Sequence, residues 1–272
     1  KVSFENPVYT ANASGIGTLR ILEAIRTLNL KTKFYQASTS EIFGNTKPPQ
    51  SENSIMRPCS PYGAAKLYAN EITRIYREGF GIYASNGILF NHESEVRGET
   101  FVTRKIIKGL VRIKLNKQKT LLLGNLYAKR DWGYAPDYVE GMWKILQQKK
   151  PDDFVIATGK QYSVKDFTNI AAKRLGIKLK WIGKGLQEKA INLETNSVIV
   201  EVNKKYFRPT EVASLKGDIT KAKKILKWSP KISFEEGISK LLENINYWKD
   251  APIWDEKKIE AATKKWFEYL ND

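Results

Sequence analysis

Apolar residues recur along this chain at two spacings, and the two alternate. Over residues 10–29 they fall at Ile16, Leu19, Leu22 and Ile25, the spacing of a helix with one buried face. Residues 33–37 are a short strand-like run. Residues 62–79 return to helical spacing through Ala65, Ala69, Ile72 and Ile75-Tyr76, and 82–90 is a second strand-like run. The stretch between them, 38–60, holds Pro48, Pro49 and Pro58 and reads as a loop. Helix, strand, helix, strand is the rhythm of a parallel sheet covered on both faces. Such sheets carry ligands at the carboxyl ends of their strands. Ser38-Thr39-Ser40-Glu41 and Asn91-His92 stand at two such ends.

The second half keeps alternating, with shorter strands. Residues 101–117 predict a basic amphipathic helix, 121–123 a strand, 137–148 a helix and 153–158 a strand closed by Gly159. Ser163-Val164-Lys165-Asp166 reads as a capping box opening a helix that ends at Gly176. Strands are expected over 178–182 and 196–202. Asp218 is expected to cap a helix through 226. Residues 234–248 and a final segment with Ile259, Ala262, Trp266 and Leu270 complete the helices. The shift toward shorter strands and more helix predicts two lobes with a cleft between them.

A doubly wound nucleotide-binding sheet normally opens with a strand and a Gly-rich turn. None stands at the start here. Gly15-Ile16-Gly17 lies inside the first helical segment with no strand before it. The first strands of such a sheet are therefore expected to lie outside this sequence.

Composition narrows the classes. The 272 residues suffice for a large core. The net charge of +17 invites a nucleic-acid reading, but the excess is mostly Lys spread along the chain, without an Arg-rich run or zinc-finger spacing. It reads as compositional bias, and no nucleic-acid partner is expected. No apolar run approaches ~18 residues, so no membrane span is expected. The one cysteine, Cys59, suits a reducing compartment, and the first residues resemble neither a signal nor a transit peptide. A cytoplasmic location is the expectation, and no metal site is read from the sequence.

The candidate chemistry sits at Ala37-Ser-Thr-Ser-Glu41 and Ser60-Pro-Tyr-Gly-Ala-Ala-Lys66. Tyr62 and Lys66 are four apart and share a helix face. A phenol beside an ammonium has a mobile proton, and a Thr and a Glu at a strand end complete a proton-transfer set. Tyr-x-x-x-Lys alone recurs by chance. Here it occurs in order with Asn91-His-Glu-Ser94, Gly98-Glu-Thr-Phe-Val-Thr-Arg-Lys-Ile106, Ala128-Lys-Arg-Asp-Trp-Gly133, Val155-Ile-Ala-Thr-Gly159 and Tyr206-Phe-Arg-Pro-Thr-Glu-Val212. Together these motifs resemble the GDP-mannose 4,6-dehydratase family of extended short-chain dehydrogenases/reductases, over nearly the whole chain to about Trp228.

The resemblance implies an α/β fold: a Rossmann-like doubly wound parallel sheet with a smaller α+β substrate-binding lobe. Residues 1–175 would form the NADP-binding domain, with 92–120 contributing to the substrate lobe, and 176–272 would mainly bind the GDP-sugar. It implies that Thr39, Glu41, Tyr62 and Lys66 are catalytic. Tyr9, Lys66, His92 and Arg97 would touch NADP. Asn91, Lys105, Arg130, Arg208 and Glu211 would surround the GDP-sugar. Arg130 and Arg208 also have a physical reason, since guanidinium groups bind phosphate oxygens bidentately. Glu211 could accept from the N1–H and N2–H₂ edge of guanine. Lys66 is expected to favour the Tyr62 phenolate.

This chain departs from the family pattern at several places. Glu95-Val96 stands where the family usually has Pro-Arg, in a loop that in the family reaches a neighbouring subunit. A homo-oligomer is expected, and the lost Arg fits a dimer better than a tetramer. Tyr127, Tyr134 and Pro136 replace the usual Asp, His and Lys, and Ser14 replaces an Asp. A related nucleotide-sugar enzyme, such as a GDP-heptose dehydratase or an epimerase, stays open. So does a non-catalytic nucleotide-sugar binder.

Overall fold

The computed structural model describes residues 2–207 and 210–245. Arg208, the end of the 234–248 helix and the helix expected around Ile259–Leu270 lie outside the described residues. Two short helices, α1 (Val2–Glu5) and α2 (Pro7–Ala11), lead through a π-helical turn (Asn12–Ile16) into α3 (Gly17–Thr27). Then follow β1 (Phe34–Thr39), α4 (Pro61–Phe80), β2 (Ala84–Leu89), β3 (Asn91–Glu93), α5 (Val102–Lys114), β4 (Leu121–Leu123), β5 (Lys129–Arg130), β6 (Trp132–Tyr134) and α6 (Ala135–Leu146). The order continues with β7 (Asp153–Ile156), β8 (Tyr162–Ser163), α7 (Val164–Arg174), β9 (Leu179–Ile182), β10 (Lys189–Asn192), β11 (Ser197–Val202) and α8 (Phe234–Glu243).

The first sheet has the order β1-β2-β7 and is parallel throughout. Strand β2 is buried at every position, which suits its mostly apolar and small residues, and its one larger polar side chain, Asn86, donates through Nδ2 to Asn70 O and to Asp153. Helices α4 and α6 pack on this sheet. Ile42, Phe43, Ile88, Phe90, Tyr138 and Phe154 form its core with Trp228. A second sheet, β4-β11-β10-β9, combines one parallel and two antiparallel pairings. Its core joins α5, α7 and α8 through Ile106, Leu110, Phe167, Ala171 and Ile238.

The two cores interleave along the chain. Helix α7 belongs to the second core. The segment carrying Val212, Leu215, Ile219, Leu226 and Trp228 returns to the first. A buried carboxylate secures that return. Asp131 accepts from Thr158 N (2.8 Å), Thr158 Oγ1 (2.6 Å), Gly159 N (2.9 Å) and Gly217 N (3.1 Å). It thereby joins the end of β7 to the returning segment, although burial pushes its pKa up.

Local signals hold where the chain is its own neighbour. Ser163 Oγ accepts from Asp166 N (3.0 Å) and Asp166 Oδ2 accepts from Ser163 N (2.8 Å), the expected capping box. Ser60 Oγ accepts from Gly63 N (3.0 Å) at the start of α4, ahead of Pro61. Gly81 ends α4 in the left-handed conformation (φ 66°). Asp218 does not head a regular helix. It accepts from Thr220 N (2.9 Å), and a π-helical turn spans Ala222–Leu226. No helix among the described residues is long and apolar enough to cross a membrane.

Candidate active site

Strand β1 ends at Thr39, in extended backbone, and the chain turns at once into a single 3-10 turn, Ser40–Ile42. Thr39 Oγ1 caps that turn by accepting from Glu41 N (3.3 Å). The amino end of α4 lies directly on it. Gly63 makes this approach possible: a Cβ there would sit 2.9 Å from the Glu41 carbonyl oxygen and 2.9 Å from Pro58 Cβ. The Tyr-Gly-Ala-Ala-Lys spacing thus has a steric meaning beyond the Tyr–Lys pair. It lets the helix bring Tyr62 to the strand end.

Tyr62 is half-buried at the start of α4. Burial raises its pKa, and the Glu41 carboxylate adds to the rise. A hydrogen bond with the Thr39 side chain and the charge of Arg97 act in the opposite direction. Lys66 lies one turn on, with Nζ 6.0 Å from the Tyr62 ring centroid. Its Nζ donates to the Ala37 carbonyl (3.0 Å), and burial lowers its pKa. Lys66 is anchored on β1 through Ala37 and keeps its ammonium over the Tyr62 ring, and Arg97 is a second cation acting on the phenol.

Arg97 leaves the turn after β3. Its guanidinium carbon lies 3.6 Å from the Phe101 ring centroid, and Nε is 3.4 Å from Glu93 Oε2. Glu93 is buried and also accepts from Thr103 Oγ1 (2.6 Å); burial pushes its pKa up. His92 Nδ1 lies 2.8 Å from the Phe90 carbonyl oxygen, and its ring stacks on Tyr138 at 4.9 Å. Burial lowers the His92 pKa, so the ring is held neutral. Asn91, at the same strand, has a buried Oδ1 without a hydrogen-bond partner. Tyr9 is half-buried on α2, which packs against α4.

Lys105, Arg130 and Glu211 gather near the segment that follows β4, and Arg208 lies outside the described residues. Lys105 Nζ lies 3.2 Å from the Tyr206 ring centroid, and burial lowers its pKa to about 8. Gly124 meets the Tyr206 carbonyl so closely that a Cβ would lie 2.6 Å from it. Asn125 Nδ2 donates to Glu211 Oε2 (2.8 Å). Arg130 Nη1 donates to the carbonyls of Lys129 (2.9 Å) and of Val212 (2.8 Å), next to Glu211. Lys105, Arg130 and Glu211 are thus linked through Tyr206, Asn125 and Val212.

The loop after Glu41 joins the two groups. Cys59 O accepts from Thr210 Oγ1 (2.5 Å), and Asn45 Oδ1 accepts from Ala213 N (3.2 Å). One group therefore offers a phenol, a hydroxyl and a carboxylate for proton transfer, beside two cations. The other offers a lysine, an arginine and a carboxylate suited to an anion with a hydrogen-bonding head. The orphaned Asn91 Oδ1 and the buried, unbonded Ser38 Oγ leave hydrogen-bonding capacity for a polar cofactor at the first group, beside the Arg97 cation. Among the described residues no three His, Cys, Asp or Glu side chains converge to hold a metal.

Sequence reasoning missed Tyr138, the support under His92. It also missed the meeting of Glu95 with Tyr134, whose hydroxyl donates to Glu95 Oε1 (2.9 Å). Both are long-range contacts with no local signature. The only signal was that Glu95 and Tyr134 each depart from the family pattern.

The chain is similar to several known proteins. A family model described as GDP-mannose 4,6 dehydratase matches residues 1–241. The GDP-mannose 4,6-dehydratase of Vibrio cholerae serotype O1 is 53% identical over 254 residues, covering 89% of this chain and 68% of that protein. GDP-mannose 4,6 dehydratase 2 of Caenorhabditis elegans is 52% identical, covering 89% and 64%. The chain therefore spans about two thirds of the length of such relatives. Among solved structures, RMD from Pseudomonas aeruginosa complexed with NADPH superposes with a TM-score of 0.75 at 17% identity, covering 90% of this chain and 77% of that one. The dTDP-glucose 4,6-dehydratase of Bacillus anthracis in complex with NAD gives 0.71 at 18%, covering 91% and 71%. The structures establish the Rossmann-type fold, and the motifs, family match and sequence identities together place this chain in the GDP-mannose 4,6-dehydratase family.

Proposed function

We propose that the chain is an NADP-dependent GDP-mannose 4,6-dehydratase, a lyase that converts GDP-mannose to GDP-4-keto-6-deoxymannose. The observation that carries this reading is Glu41. A carboxylate on the turn that holds Thr39 and Tyr62 supplies a base for the sugar's C5, which plain oxidation or 4-epimerisation does not need.

Tyr62 accepts the proton of the 4-hydroxyl, and Thr39 hydrogen-bonds the C4 oxygen. A ketone at C4 acidifies the C5 proton. Glu41 removes that proton and passes it to the departing 6-hydroxyl, which leaves as water. When bound, NADP would supply hydride removal at C4 and hydride return at C6 with no net consumption, and C5 is reprotonated as the hydride returns, which balances the proton Tyr62 took from the 4-hydroxyl. Lys66, Tyr9, His92 and Arg97 are assigned to hold it, with Arg97 also lowering the cost of the Tyr62 phenolate. Asn91, Lys105, Arg130, Arg208 and Glu211 are assigned to the GDP-sugar. In this reading the first sheet carries the cofactor and the second lobe the nucleotide-sugar.

The cytoplasm suits a nucleotide-sugar enzyme with one free thiol. A homodimer is the proposed assembly. The outer faces of α3 and α4 expose Ile21, Leu28, Ile75 and Phe80. The test of function is incubation with GDP-mannose and NADP⁺, followed by mass spectrometry. A product lighter by one water supports the reading. Turnover of a GDP-heptose but not of GDP-mannose would replace the substrate, and tight GDP binding without any turnover would replace the activity.

A further inference from the structure

Two residues that depart from the family pattern, 39 positions apart, meet in the fold. Strands β3 and β6 pair in parallel with Glu93 opposite Tyr134. The chain then turns, with Arg97 N donating to Ser94 O (3.0 Å) and Phe101 N to Gly98 O (3.1 Å). From that turn the Glu95 carboxylate reaches back across β6. It accepts from Tyr134 Oη at 2.9 Å (Oε1) and 3.3 Å (Oε2). Asn244 Nδ2, just past α8, lies 3.4 Å from the same Oε1. Lys240 of α8 sits with Nζ 5.8 Å from the Tyr134 ring centroid. One carboxylate therefore connects the turn to β6 and to the residue just past α8.

What this connection holds in place is Arg97, two residues on. Its guanidinium is confined between Phe101 and Glu93 and acts on Tyr62 and His92. The turn is short, and within it Arg97 lies between two exposed positions, Val96 and Gly98. The Glu95 carboxylate ties the turn to Tyr134 of β6 and to Asn244 just past α8. We propose that Glu95 and Tyr134 form a clasp that fixes the turn over residues 94–98 and so positions Arg97 toward a bound anionic dinucleotide. Both are positioning residues. This rests on the reading of Arg97 as an NADP-binding side chain.

The test is a double-mutant cycle on NADP⁺ affinity, measured by calorimetry on the full chain. Tyr134→Phe removes only the hydroxyl and keeps the ring under Lys240. It is expected to raise the NADP⁺ Kd about 3- to 10-fold, the scale of one hydrogen bond to a charged group acting indirectly. In an Arg97→Ala background the same change is expected to have no effect, because the clasp acts through Arg97. Glu95→Gln, which still accepts the hydrogen bond, should weaken binding less than Glu95→Ala. An unchanged Kd in Tyr134→Phe, or the same loss in both backgrounds, overturns the clasp. Hydrogen exchange without cofactor supplies the second measurement. Amides of residues 95–101 should exchange faster in Tyr134→Phe and Glu95→Ala, while those of β1 and β2 do not change. Unaltered exchange in that segment also overturns it. If the wild-type chain fails to bind NADP⁺, the cofactor reading falls, and the exchange rates alone decide whether the clasp exists.

Discussion

Gly63→Ala tests the steric heart of the site with a single methyl group. The added Cβ would lie 2.9 Å from the Glu41 carbonyl oxygen, where ordinary contact begins at 3.4 Å. Pro58 Cβ is as close, and Ser60 Oγ is at 3.3 Å. The obstacle is backbone and a ring, so neither can rotate away, and the helix end must retreat by about 0.5 Å. Overpacking of this kind costs about 1–3 kcal/mol. The better helix propensity of Ala returns up to about 1 kcal/mol. The net cost, about 0–3 kcal/mol, leaves a typical domain folded. Catalysis should suffer more than stability. The retreat separates Tyr62 from Thr39 and Glu41, and misplacement by about 1 Å can cost a factor of ~100. The expected result is a fall in kcat of about 10- to 100-fold with a denaturation midpoint close to wild type. Wild-type kcat in a folded Gly63→Ala protein would refute the argument that this close approach sets the geometry.

Three further outcomes follow from the same structure. Lys105, with its pKa lowered to about 8, loses its charge as pH rises through 8, so GDP affinity measured by calorimetry should weaken from pH 7 to 9. Lys105→Met should bind weakly and show no such slope. For folding the sign is opposite: the buried charge costs stability below about pH 8, and that cost is relieved as pH rises toward the ordinary lysine value of 10.5. Tyr138→Phe removes a buried hydroxyl that has no partner, so it should leave stability within about 1 kcal/mol of wild type. Tyr138→Ala removes the ring under His92 and should cost about 3–5 kcal/mol in denaturant unfolding.

Periodicity and local motifs made much of the first sheet legible. Strands β1 and β2 and helix α4 follow from apolar spacing, Ser60-Pro61 and Gly81, all readable within a few residues. The capping box at Ser163 was legible for the same reason. The return of the segment from Val212 to Trp228 to the first core was not. Its anchor is Asp131, whose partners stand 27 and more residues away in sequence. Strand β10 and the β3–β6 pair were also missed, because each is short and defined by its partner rather than its own pattern. The site divides along the same line. Thr39, Glu41, Tyr62 and Lys66 were visible as a motif, and their closeness follows from one strand end and one helix start. That Arg97 would join Lys66 as a second cation acting on the phenol depends on how the turn after β3 folds back.

The claim that Glu41 makes this a dehydratase is tested most directly with Glu41→Gln. The variant is given GDP-mannose and NADP⁺, while reduced nicotinamide is followed by absorbance and the sugar nucleotide by mass. The wild type is expected to release a product lighter by one water without accumulating reduced cofactor. Glu41→Gln is expected to accumulate reduced cofactor and to form no water-lighter product. Water loss by Glu41→Gln at the wild-type rate would contradict the claim.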